Sequence, residues 1–131
     1  MGLSHRLNWY DSPIIERKTE MNKSIEKRIN QSYNSAKFSE INGRILRALN
    51  VLDDKKPKLS ALITLFNDAE FTEFTESVSY LSLSGYVNLI DIYTGKEKFF
   101  EIREFDNLAI KLTANGIKLL KGKKEDNAVD I

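Results

Sequence analysis

The chain has 131 residues, 41% hydrophobic and 30% charged, the balance of a globular domain in water with room for a short extension. It has no cysteine and one histidine, His5. That excludes disulfides, thiol nucleophiles and cysteine-ligated metals, and leaves a histidine-dependent nucleophile without its base in the body of the chain. The net charge of +1 is uneven: residues 1–58 carry 12 Lys+Arg against 7 Asp+Glu, residues 59–107 carry 3 against 9, and residues 108–131 carry 5 against 3.

Residues 1–12 have no periodicity, and Ser12 is placed to cap a helix with Pro13 in its first position. Ile14, Met21, Ile25, Ile29 and Tyr33 then recur at steps of seven, four, four and four, a narrow apolar stripe on a polar helix. A helix laid on its own domain, a dimerisation helix and a partly disordered arm all fit this stripe. "QSYNSAK" (31–37) is expected to break the chain. Ser39 is expected to cap the next helix, with Ile41, Ile45, Leu46, Leu49 and Leu52 at helical spacing. "LSALITLFND" (59–68) predicts a short second helix, with a residue or two of extended chain after Pro57.

A third helix is marked by Phe74, Val78 and Leu81, with Phe71 at its start and Gly85 at its end. The period then changes. "YVNLIDIY" (86–93) alternates, "TGKEK" is a turn signal, and "FFEIREF" (99–105) alternates again, which predicts a hairpin. Asp106-Asn107 make a second turn and "LAIKL" (108–112) a third extended piece. Thr113 caps a last short helix that Gly122 follows. Residues 123–131 are charged and expected to fray. The expected organisation is an N-terminal arm and amphipathic helix (1–36), a folded α+β domain (37–122) and a charged tail (123–131).

Two segments carry a family resemblance. "YLSLSGYVNL" resembles the end of a recognition helix in the winged helix-turn-helix superfamily, and "LAIKLTANGIKLL" resembles the far side of its wing, with Thr113 and Gly116 three residues apart. The likeness spans about residues 39–122. It implies a three-helix core, a β-hairpin wing and a short closing helix, here with an N-terminal helical extension. It also implies DNA binding as the commonest use of the fold, and fold alone does not set function. The interval from Tyr93 to Leu108 is long for that wing.

The outward positions of the third helix are expected to be Thr72, Glu73, Glu76, Ser77 and Tyr80. Two carboxylates there suit the positive end of a helix dipole but oppose phosphate. Expected DNA contacts are therefore Thr72, Ser77 and Tyr80, with charge from Lys55, Lys56 and Lys58 before the second helix and Lys96 and Lys98 at the wing tip. Arg17, Lys18, Lys23, Lys27 and Arg28 add basic charge on the N-terminal helix, and "RLNWY" mixes a base with aromatics. The expected function is a homodimeric DNA-binding regulator or mobile-element accessory factor, joined through Ile14, Met21, Ile25, Ile29 and Tyr33. The alternative is a protein-interaction module that binds through its acidic third helix. No catalytic residue, metal site or cofactor is expected. The absence of a membrane-length apolar run or a signal-peptide pattern leads to an expected cytoplasmic location.

Overall fold

The computed structural model describes residues 13–52 and 55–131, with side chains from residue 22 onward. Its first helix, α1, runs unbroken from Pro13 to Leu52. Pro13 starts it as expected, while the proposed cap Ser12 lies outside the described residues. The break expected at 31–37 and the cap expected at Ser39 are absent. That stretch has no glycine or proline, and Gln31, Ala36 and Lys37 are good helix formers, so nothing there stops propagation. Among the described residues no helix is long and apolar enough to cross a membrane.

The chain divides into two compact units, residues 1–36 and 37–131. In the first, residues 22–36 are all exposed, including Ile25, Ile29 and Tyr33 of the apolar stripe. The side chains of Ile14 and Met21 lie outside the described residues.

The second unit is α+β. After the end of α1 come α2 (Leu59–Leu62), a 3₁₀ turn (Ile63–Leu65) and α3 (Phe71–Leu83). Then follow β1 (Val87–Asp91), β2 (Glu97–Lys98), a second 3₁₀ turn (Ile102–Asn107), β3 (Leu108–Leu112) and α4 (Ala114–Leu120). The strands form an antiparallel sheet in the order β2-β1-β3. Leu89 faces Ile110 on one side and Lys98 on the other, and Ile90 faces Ala109 and Glu97. Beyond β3, Lys58 forms a single bridge to Ala109, and the Pro57 carbonyl accepts from the Ile110 N–H at 2.9 Å. The extended residues expected after Pro57 are thus used to close that edge.

The core is built from the apolar sets that periodicity marks. Ile41, Ile45, Leu46 and Leu49 of α1 meet Leu59 and Leu62 of α2 and Phe74, Val78 and Leu81 of α3, with Val87, Leu89, Leu108 and Ile110 from the sheet. The strand expected at 99–105 is not formed. β2 stops at Lys98, and the chain winds into the 3₁₀ turn, which carries Phe105 inward to within 6.3 Å of the Phe74 ring. An extended run would keep Phe99, Glu101, Arg103 and Phe105 on one face, so burying Phe105 while exposing Phe99 needs the change of backbone.

The two segments that carry the family resemblance touch each other. α3 ends in a Schellman turn: Tyr86 N–H donates to the Leu81 carbonyl and Gly85 N–H to that of Ser82, with Gly85 at φ 80°. The Thr113 hydroxyl donates to the Gly85 carbonyl at 2.6 Å and accepts from the Gly116 N–H at 3.1 Å, capping α4. Thr113 N–H donates to the Tyr86 carbonyl, and a Cβ on Gly116 would overlap that same oxygen.

Residues 123–131 do not fray. Val129 is buried, and Asn42 Nδ2 donates to the Ala128 carbonyl at 2.8 Å. The Asp130 N–H donates to the Ser39 carbonyl, and the Asp130 carbonyl accepts from Arg47 Nη1. The backbone of α1 at Gly43 is so close that a Cβ there would overlap the Asp130 carbonyl oxygen.

Two substitutions test these contacts. Thr113→Ala removes a cap and a cross-junction hydrogen bond and is expected to cost about 1–2 kcal/mol in denaturant unfolding. Gly43→Ala gains up to about 1 kcal/mol of helix propensity. It is nonetheless expected to raise hydrogen exchange at 126–131 and lower stability, and a stability gain with unchanged exchange would show the tail undocked.

Candidate functional site

The surface that the third helix presents follows from how it is started and rotated. Glu73 turns back to the helix start, where its carboxylate accepts from the Glu70 N–H at 2.8 Å, and it also pairs with Lys37 at 3.0 Å. The backbone hydrogen bond, then Lys37, hold its pKa below the ordinary value. Just before the helix, Arg44 holds Asp68 with bonds of 2.9 and 3.1 Å while lying over the Phe66 ring. Two of the acidic residues near the start of α3 are thus already partnered.

Only part of the expected outward set points outward. Thr72 and Glu76 are exposed. Ser77 is not: it is fully buried, and its Oγ has no hydrogen-bond partner among the described residues. Tyr80 is half-buried. Its ring meets Phe38 edge-on at 5.4 Å and its hydroxyl donates to Asp126 Oδ2 at 2.6 Å. Neither Ser77 nor Tyr80 is therefore free to serve as an external contact. The side of α3 turned to solvent runs through Thr72, Glu76 and Leu83, all exposed, with Ser79 half-buried between them, and it carries no cation.

The expected cations do not converge either. Lys55, Lys56, Lys58, Lys96 and Lys98 are all exposed. Lys98 lies 3.6 Å from Asp91, and the other four have no ion pair among the described residues. Lys58, Ala109, Ile90 and Glu97 form one row across the sheet, so Lys58 and β2 sit at opposite edges. Three strand spacings separate them, about 14 Å.

Another surface brings α3 and the segment 99–106 together at two places. Phe99 shares a groove of about 280 Å³ with Ser82, Asn88, Leu89, Glu97 and Lys98. At the other end, Phe71 meets the Phe105 ring at 5.0 Å. Along this seam Phe71, Leu83, Phe99 and Ile102 are exposed, Phe99 at 80% and Leu83 at 74%. Glu70, Glu76, Glu97, Glu101 and Asp106 are exposed around them. The cations of the seam are Lys98 and Arg103, and both are ion-paired, to Asp91 and Glu101. Phe99 and Ile102 escape a reading by periodicity, because alternation puts them on opposite faces of one strand and so never side by side on a single exposed surface.

Asp126 is the other side chain missed. Its Oδ2 accepts from both Tyr80 and Tyr86, the latter at 2.7 Å, and its Oδ1 from the Ala128 N–H. Burial raises the Asp126 pKa, but the two hydroxyls and the N–H outweigh it, so the net shift is downward. Burial, then the hydrogen bond to Asp126, pushes Tyr86 up to about 12. Comparison with protein-family models, with curated proteins and with solved structures found no match.

The tyrosine–aspartate contact sets a pH window. Tyr86 binds its proton more tightly folded than unfolded, so its contribution is complete below pH 10 and is lost as pH rises through about 12. Asp126 has a depressed pKa, so its contribution is present above the ordinary 3.8 and is lost as pH falls through the lower folded value. Spectrophotometric titration of tyrosinate is expected to show a late phase that Tyr86→Phe removes. The same substitution is expected to cost about 1–2 kcal/mol in unfolding at neutral pH.

Proposed function

We propose that residues 37–131 form a winged-helix-type unit that docks onto protein through the seam between α3 and the 99–106 segment, and that the surface it fits is basic and apolar. The winged-helix part is supported by the order of elements and by the Gly85 and Thr113 junctions, which lie where the resemblance places them. The docking part rests on one observation: the solvent face of α3 has no Lys or Arg, while the seam beside it exposes aromatic and aliphatic side chains ringed by carboxylates. Phosphate affinity comes from cations and a carboxylate face opposes it. Apolar anchors inside a polar rim are how protein surfaces recognise each other.

A second reading, DNA binding, is favoured by one feature. Lys55, Lys56, Lys58 and Lys96 are exposed with no ion pair among the described residues. Under that reading the duplex lies against the sheet edges and not against α3.

Two measurements separate the readings. A lysine- and leucine-rich helical peptide titrated into the labelled protein is expected to shift resonances of Phe71, Glu76, Phe99 and Ile102. Phe99→Ser with Glu76→Lys is expected to weaken that binding at least about tenfold while changing stability by less than about 1 kcal/mol. Mobility shift on random duplex in about 50 mM salt is expected to show no complex. A complex that weakens with salt and disappears when Lys55, Lys56 and Lys58 become alanine would overturn the docking proposal in favour of DNA.

A further inference from the structure

Residues 126–131 form no helix and no strand, yet they are seated on the body like a bound peptide. The Asp130 N–H donates to the Ser39 carbonyl at 2.9 Å. The carbonyls of Asn127, Ala128 and Asp130 accept from Ser39 Oγ, Asn42 Nδ2 and Arg47 Nη1. Gly43 has no Cβ, which leaves room for the Asp130 carbonyl. Tyr80 and Tyr86 hold the Asp126 carboxylate, and Val129 is buried. We propose that this surface is a peptide-recognition groove and that residues 126–131 are a ligand supplied in cis. In trans the groove takes a short segment of another protein that carries a carboxylate and, three residues later, a small aliphatic side chain. This does not rest on the docking seam.

Three features set the segment apart from the body it covers. Its shape is made within it: Asp126 Oδ1 accepts from the Ala128 N–H and the Asp126 carbonyl from the Val129 N–H, an Asx-type turn closed by Asp126 alone. Its link is unpacked. α4 ends in a turn with Gly122 at φ 73°, Lys121 to Glu125 are all exposed, and α4 and the segment both line an open cleft of about 660 Å³. Among the described residues, its outward hydrogen bonds go to α1, Tyr80 and Tyr86 and none goes to α4, the element that precedes it. Its fit is also incomplete. Asn42 is fully buried, and its Oδ1 has no partner among the described residues while Nδ2 of the same amide holds Ala128. An empty buried acceptor is a cost that a ligand with one more donor there does not carry.

The contacts say what the groove reads. Only Asp126 and Val129 are recognised by their side chains. Asn127 and Asp130 are held by backbone groups that any residue supplies, and both are exposed. A tethered ligand acts at an effective concentration in the millimolar range, so the cis segment competes with any free one.

The probe is a fluorescent peptide of residues 124–131, KEDNAVDI. It is titrated into the full chain carrying Asp126→Ala and Val129→Asp, which disable the cis segment and leave the groove unchanged. The expected Kd is below about 1 mM and at least about tenfold tighter than for the unsubstituted chain, with resonance shifts at Asn42, Gly43 and Tyr80. In the peptide, Asp126→Asn or Val129→Asp is expected to weaken binding at least about tenfold, and Asn127→Ser or Asp130→Ser by less than about threefold. No binding up to about 1 mM by a folded variant overturns the proposal. So does equal affinity for the two chains, or affinity indifferent to the Asp and the Val. Hydrogen exchange on the unsubstituted chain tests the same point without any variant. The N–H groups of Val129 and Asp130 are expected to open at least about 100-fold more often than those of Ile45 and Val78. Equal opening would make the segment part of the cooperative core and overturn the proposal.

Discussion

The folded unit depends on one hydroxyl. Thr113 Oγ1 donates to the carbonyl of Gly85, where α3 has just ended, and accepts from the N–H of Gly116, where α4 has just begun. Its own N–H reaches the Tyr86 carbonyl, one residue before β1. Four elements are fixed relative to one another at that point. The adjacent pair, Val87 opposite Leu112, sets the register of the whole β1–β3 ladder. Because a slip of one residue would turn every side chain to the other face, this anchoring keeps Val87, Leu89 and Ile110 inside. It also fixes where α3 stops, and so which of its sides is left to solvent.

The end of the chain is held by a different kind of contact. Its composition is charged, yet the groups that bind it are chiefly backbone: the carbonyls of Ala128 and Asp130 and the N–H of Asp130. Asp126 supplies a charged anchor, shared by two tyrosine hydroxyls, and Lys124 lies over the Tyr86 ring at 5.5 Å. A carboxylate that accepts several hydrogen bonds tolerates partial burial. The tail thereby takes up Tyr80, a residue whose position on α3 would otherwise make it available to a partner.

What sequence reasoning recovered is what is decided locally. The apolar positions of α1 from Ile41, those of α3, the cap at Thr113 and the positive φ at Gly85 all depend on spacings of four residues or fewer, or on one residue's backbone freedom. What it missed depends on partners far along the chain. "FFEIREF" alternates well enough for a strand, but β2 pairs only through Glu97 and Lys98, and Phe105 is claimed by Phe71 and Phe74. The docked tail answers to Ser39, Asn42 and Gly43, more than 80 residues away. Ser77 is a different case. It lies three residues after Phe74 and four before Leu81, so helical spacing places it on the buried face, and only the family resemblance argued for the outside. The unbroken α1 is different again: a largely polar run is not a stop signal when it holds no glycine or proline.

The sheet has a consequence for the company this protein keeps. One of its edges is two residues long, Glu97 and Lys98, both charged, and the other is occupied by the single bridge at Lys58. Short, charged edges resist the addition of a foreign strand. Backbone pairing at the β2 edge is therefore a poor route for this molecule to join another, whether productively or as an aggregate. Association there is left to side chains, and a change of one exposed residue can retune it without disturbing a single hydrogen bond of the fold.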